Sequence, residues 1–179
     1  YSAIAGGWGN VIDFGFPHSS IKAYNFIGGG KNNEILGKAE QSNAIVGGNE
    51  ASIVSSSYAF IGAGQRNRIL TSNHGSIGGG YQNQITGSQY ATIAGGQDNR
   101  ISDSNGAAIL AGVNNNMSPP TYSPSPGAII AGGENNKLHN AKYSSLLGGE
   151  LNEISKSFYS SLLGGSSNQI LQSDYSAIL

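Results

Sequence analysis

The sequence predicts an all-β fold: a parallel β-solenoid, or β-roll, wound from sixteen-residue coils of two short strands each. Three observations predict it. A twelve-residue phrase, Tyr-Ser-x-Ile-x-Gly-Gly-x-x-Asn-x-Ile, recurs along the 179 residues; its fourth position is aliphatic in every copy; and a second aliphatic follows eight residues later. The phrase starts at Tyr1, Tyr24, Ser42, Tyr58, His74, Tyr90, Gly106, Gly127, Tyr143, Tyr159 and Tyr175. Spacings between starts are 23, 18, 16, 16, 16, 16, 21, 16, 16 and 16, so three units carry insertions. A single domain over 1–179 follows, with corner insertions at 13–23, 36–41 and 118–126.

The first strand of each coil centres on position four: Ile4, Ile27, Ile45, Ile61, Ile77, Ile93, Ile109, Ile130, Leu146, Leu162 and Ile178. The second centres on position twelve, where Ile gives way only to Met117 and Leu138. Between them position seven is Gly in all ten complete copies, and position six is Gly except at Ala63 and Ala111. Helix is a poor alternative, because each Gly in a helix interior costs about 1 kcal/mol against Ala. Paired glycines suit a tight turn in which at least one site needs φ > 0 or a close backbone approach.

Strand side chains alternate, so even positions share one side. That side is the expected core: small residues at two, aliphatics at four and twelve, and Asn at ten in nine of ten copies, from Asn10 to Asn168. A stacked amide ladder there would satisfy turn backbone. Outside strand two, position eleven is mostly polar (Glu34, Arg68, Gln84, Arg100, Lys137, Glu153). Outside strand one, positions three and five carry no charge in any copy and include Phe26, Phe60, Leu110, Ile129, Leu147 and Leu163. Such a stripe needs cover, and the simplest cover is more copies of the chain. A rotationally symmetric, parallel bundle of three, a homotrimer, would bury these six residues around one axis, and the stripe alone does not choose three copies over two.

The matching stretches Ser2-Ala3-Ile4-Ala5-Gly6, Ser144-Ser145-Leu146-Leu147-Gly148 and Ser160-Ser161-Leu162-Leu163-Gly164 resemble the YadA-like head domains of trimeric autotransporter adhesins. Those heads are trimers of left-handed parallel β-rolls built on Ser-x-Ala-x-Gly repeats. The present unit is longer, has Ile where that motif has Ala, and adds Gly-Gly-x-x-Asn. Similar arrays occur in bacterial surface proteins and in viral or phage fibres. The resemblance implies a left-handed coil, a trimer, and a place on a cell or virion surface. The chain begins and ends inside a repeat, and is read as a segment of a longer protein.

Composition narrows the chemistry. A net charge of −1 with 11% charged residues offers no footprint for a phosphate backbone, so no nucleic-acid partner is expected. No apolar run suggests membrane contact within the segment. Cysteine is absent, which removes disulfides and thiolate chemistry. His18, His74 and His139 have no metal-ligand spacing, and no Gly-x-Ser-x-Gly elbow accompanies the serines. Glu134 and Glu150 occupy one turn position in adjacent repeats and invite an acid/base or metal reading, but no third ligand or base recurs beside them. No cofactor and no metal is therefore expected.

The expected function is a structural and binding module of an extracellular fibre or adhesin head. Receptor contact falls to the corner loops, through Phe14, Phe16 and His18 in the first and Pro119, Tyr122 and Pro124 in the third. Prolines there would lower the entropy cost of presenting Tyr122. The receptor itself is unknown, with a glycan or an extracellular-matrix protein as the candidate classes. Tyrosine in seven of eleven first positions reads as an aromatic column packing a corner or subunit boundary, or alternatively as a sugar-stacking ladder. Alternatives to the adhesin are a phage or viral tail-fibre segment, a solenoid polysaccharide lyase or hydrolase, and an ice-binding solenoid. The enzyme should show a concentrated charged cleft, and the ice binder a flat Thr-x-Thr array. Neither pattern is in the sequence.

Overall fold

The computed structural model describes residues 1–13, 24–37, 42–119 and 126–179. Each repeat forms one coil, and like positions of successive coils pair in parallel, as Ile85↔Ile101 and Ile93↔Ile109 do. Sheet 1 stacks eleven two-residue strands from Ala3–Ile4 to Ala177–Ile178; sheet 2 stacks ten three-residue strands from Val11–Asp13 to Gln169–Leu171. A third, single-residue ladder runs along position eight from Trp8 to Ser166. The chain is thus a parallel β-solenoid with sixteen-residue spacing.

The even-position core forms as expected. Ile27, Ile61, Ile77 and Ile93 from sheet 1 and Ile35, Ile69, Ile85 and Ile101 from sheet 2 are fully buried. Each is worth about 1.5–3 kcal/mol of apolar burial. Aliphatics of similar volume in register, Ile in most coils and Met117, Leu138, Leu146 and Leu162 in the rest, let the stack continue with little change of packing.

Left-handed residues turn the corners: positions seven and nine in all ten complete coils, and position fourteen with the following position one at the seven return corners without an insertion. In the coil from Tyr90 these are Gly96 (φ 97), Asp98 (φ 53), Asp103 (φ 44) and Tyr90 itself (φ 56). Only position seven demands glycine outright. A Cβ on Gly96 would collide with the Gly112 carbonyl of the next coil, whereas one on Gly95 meets nothing within 4 Å. That contrast explains why Ala63 and Ala111 replace the first glycine of the pair and nothing replaces the second.

Two side-chain ladders fix the corners. Asn99 Oδ1 accepts from the Asn115 backbone N–H at 3.0 Å, while Asn99 Nδ2 donates to the Gly112 carbonyl at 2.8 Å and the Gly95 carbonyl at 3.2 Å. The same bonds recur at Asn33, Asn83, Asn136 and Asn152. On the return corner Ser88 Oγ donates to the Thr86 carbonyl at 3.0 Å and accepts from the Ser104 N–H at 2.9 Å. Strict even-odd alternation misses this second ladder. The left-handed residue at position fourteen reverses the alternation, so position fifteen turns inward and Ser56, Ser72, Ser88 and Ser104 are buried. Position eleven also departs once from a solvated face: Ser52 is buried and donates to Glu34 Oε1 at 2.8 Å.

Candidate functional site

The outward face of sheet 1 carries the uncharged stripe. Phe26, Phe60, Leu110, Ile129, Leu147 and Leu163 are 40–50% exposed, so the chain covers about half of each by itself. Register places Phe26 and Phe60 on either side of Ala44, and Ile129 between Ala108 and Ser145. Positions three and five complement each other in size within a coil. Phe26 and Phe60 precede Gly28 and Gly62, whose hypothetical Cβ atoms lie 3.2 and 3.5 Å from the respective Phe Cε1. Where position five is large, at Val46, Leu110, Leu147 and Leu163, position three is Ala or Ser. The pairing does not extend to every coil: Ala3 with Ala5, Ser76 with Gly78 and Thr92 with Ala94 are small at both positions, so the face is shallower there. This pairing was readable in the sequence only by comparing the two columns coil by coil.

The return corner carries both the insertions and the aromatic column. Asp13, Leu36 and Ser118 close strands of sheet 2, so the added residues follow them, between positions thirteen and one. Phe14, Phe16, His18, Tyr122 and Pro124 lie outside the described residues. Pro119 is described and half-buried. Beside the insertions the first-position rings stack face to face: Tyr58–His74 at 5.1 Å, His74–Tyr90 at 4.7 Å, Tyr143–Tyr159 and Tyr159–Tyr175 at 5.2 Å between centroids. Rings stacked this way spend their faces on one another, which favours a packing role over sugar stacking within each run. The column breaks at Gly106 and Gly127, and Tyr143 lies against Gly127 closely enough that a Cβ there would meet its ring at 2.9 Å.

Glu134 and Glu150 are bridge partners in adjacent coils, and both are exposed. Asn135 Nδ2 lies 3.3 Å from Glu134 Oε1. Among the described residues no group of three or more His, Asp or Glu is arranged to hold a metal. Lys137 and Glu153 are register partners. The ion pair among the described residues is instead Arg66 to Glu50, 2.8 Å and half-exposed. Its hydrogen bond to Glu50, followed by one to the Tyr81 hydroxyl, raises the Arg66 guanidinium above its ordinary pKa. An exposed pair of this kind adds little stability.

A surface not anticipated from the sequence runs along position nine. Asn32, Glu50, Arg66, Gln82, Asp98, Asn114 and Asn135 form a column of polar side chains beside the position-eleven row of sheet 2. Reading position nine as a column, as was done for three and five, would have found it. Among the described residues no helix is long and apolar enough to cross a membrane. No family model matches the chain, and no curated protein matches its sequence.

Proposed function

We propose that the chain is a structural and binding module of an extracellular or virion-surface fibre, in which three copies wind as left-handed coils around a common axis lined by positions three and five. The observation that carries this reading is the sheet 1 stripe. It is uncharged over eleven coils, carries a Phe, Ile, Val or Leu in most of them, and is about 50 Å long at roughly 4.8 Å per strand. A stripe of that length exceeds the apolar patches that monomers ordinarily expose. Since each large residue is already half covered, assembly gains roughly 1 kcal/mol apiece from them, in two runs on either side of the small residues Ser76, Gly78, Thr92 and Ala94. The YadA-like resemblance agrees with this arrangement. The adhesin head is preferred to an enzyme because the carboxylates beside sheet 2, Glu34, Glu50, Asp98 and Glu134, are spread over several coils of an open surface and interleaved with Arg66, Arg68 and Arg100.

Light scattering on the purified chain tests it. The expected mass is three times 18.4 kDa. Leu147→Asp with Leu163→Asp should dissociate or unfold the assembly, while Glu34→Lys with Gln84→Lys on the other face should leave mass and melting point unchanged. A stable wild-type monomer, or a double Asp variant with unaltered mass, overturns the reading.

A further inference from the structure

The columns at positions nine and eleven enclose a trough on the outward side of sheet 2. It consists of two adjoining depressions of about 610 and 510 Å3 that share Gln82, Gln84 and Asp98. One wall is the position-nine column, with Glu50, Arg66 and Asn114; the other is the position-eleven row, with Glu34, Arg68 and Arg100. It runs parallel to the stacking axis from Asn32 to Asn135, seven coils or about 30 Å at the strand spacing. Gly9 at one end has no side chain to build the wall, and Leu151 at the other replaces it with an exposed aliphatic.

We infer that this trough binds a neutral, linear polysaccharide lying along the fibre axis. The inference deepens the reading of the chain as a surface-binding module by naming a ligand class, and rests on that reading. Four properties select the ligand. The trough keeps one backbone geometry from coil to coil, so a linear polymer lying along it passes one position-nine and one position-eleven side chain at every strand spacing, all of them polar although their chemistry varies. Its walls mix four carboxylates (Glu34, Glu50, Asp98, Glu134) with three guanidinium groups (Arg66, Arg68, Arg100). That near balance gives no field for a phosphate or uronate polymer. Amide, guanidinium and carboxylate groups side by side both donate and accept hydrogen bonds, as adjacent sugar hydroxyls do. Finally, strands of sheet 2 within the trough are paired on both edges, so a peptide cannot add to them as a further strand. The trough belongs to the opposite sheet from the apolar stripe, and so does not compete with assembly.

Isothermal titration of the purified chain with neutral β-linked gluco-, manno- and xylo-oligosaccharides, from disaccharide to octasaccharide, tests the inference, with polygalacturonate and a random-sequence oligonucleotide as charged probes. Binding to one neutral series should tighten with each added unit until the trough is filled. Arg68→Ala combined with Gln84→Ala should weaken it about tenfold or more, the loss of one or two hydrogen bonds to a ligand. Tyr143→Ala with Tyr159→Ala, on the return corner, should leave affinity unchanged. Preference for a charged probe, no length dependence, no binding to any neutral series, or affinity unaltered in the Arg68/Gln84 variant each overturns it. Light scattering on the same samples separates the two readings: a monomer that still binds the glycan removes the trimer and keeps the trough.

Discussion

The two corners of each coil solve the same geometric problem with different tolerance. The first reverses the chain with left-handed residues at positions seven and nine in every complete coil, and the second does so with positions fourteen and one wherever it carries no insertion. The first corner takes no insertion in ten coils; the second takes all three. At the first, the position-seven glycine sits against a backbone carbonyl of the next coil, and the asparagine ladder ties each coil to its neighbours. Added chain there would separate neighbouring coils. At the second, serine Oγ atoms hold the buried side and the rings stack outside it. A loop can leave between positions thirteen and one while sheet 2 ends and sheet 1 resumes in register. Backbone bonds link coils at both corners, as Asp103 N–H to the Thr86 carbonyl does at the second, and variation is confined to the corner where no obligatory glycine is pressed against the next coil's carbonyl.

Breaking the first corner at its tightest point should have the largest effect. Gly96→Ala forces an alanine into a left-handed conformation, at about 1–2 kcal/mol. It also drives a Cβ into the Gly112 carbonyl, adding overpacking strain for a total of about 4 kcal/mol. Gly95→Ala, one residue earlier, has open space and an ordinary φ and should shift stability by no more than about 0.5 kcal/mol. Urea midpoints of the two variants decide this; equal midpoints would show that the close approach does not hold the corner.

Loss of the amide should come next. Asn99→Ala strands the buried Asn115 N–H and removes the donor to the Gly112 carbonyl, for about 3 kcal/mol. Hydrogen exchange should localise the damage to the amides around Asn115 and Gly112 before the rest of the solenoid opens. Uniform protection loss along the chain would instead indicate an effect on the assembly as a whole.

The period, the core columns and the glycine pair were legible because a repeat prints each structural requirement ten times. Ile at position twelve means the same thing in every coil. Legibility failed where a turn changes the side a residue faces. Ser72 and Ser88 sit at odd positions yet are buried, because the preceding left-handed residue resets the alternation. The position-nine trough escaped for a related reason. Alternation assigns outward faces within strands, and position nine is a turn residue whose neighbours across the coils matter more than those along the chain. The stripe at positions three and five was read correctly as uncharged, but the size pairing within some of its coils, such as Phe60 with Gly62, is concealed by single columns.

The smallest effect should run in the favourable direction. Ala51 stands where nine other coils have asparagine. Its backbone N–H still donates to the ladder above, to Asn33 Oδ1 at 3.0 Å. Below it the chain of bonds stops: alanine offers no oxygen to the Asn67 N–H and no donor to the Gly64 carbonyl, the groups that the amide serves in neighbouring coils. Local geometry records the break, since Gly48 has φ 125 while the other position-seven glycines lie between 85 and 101. Ala51→Asn should close the gap with up to three hydrogen bonds. Burial of a larger polar group and its lost rotamer freedom offset part of that gain, leaving about 1 kcal/mol of added stability. A raised urea midpoint with an unchanged slope is the expected result. A lowered one would show that the coil at Ala51 has repacked into the space an amide would need, and that the first corner tolerates more than its glycine suggests.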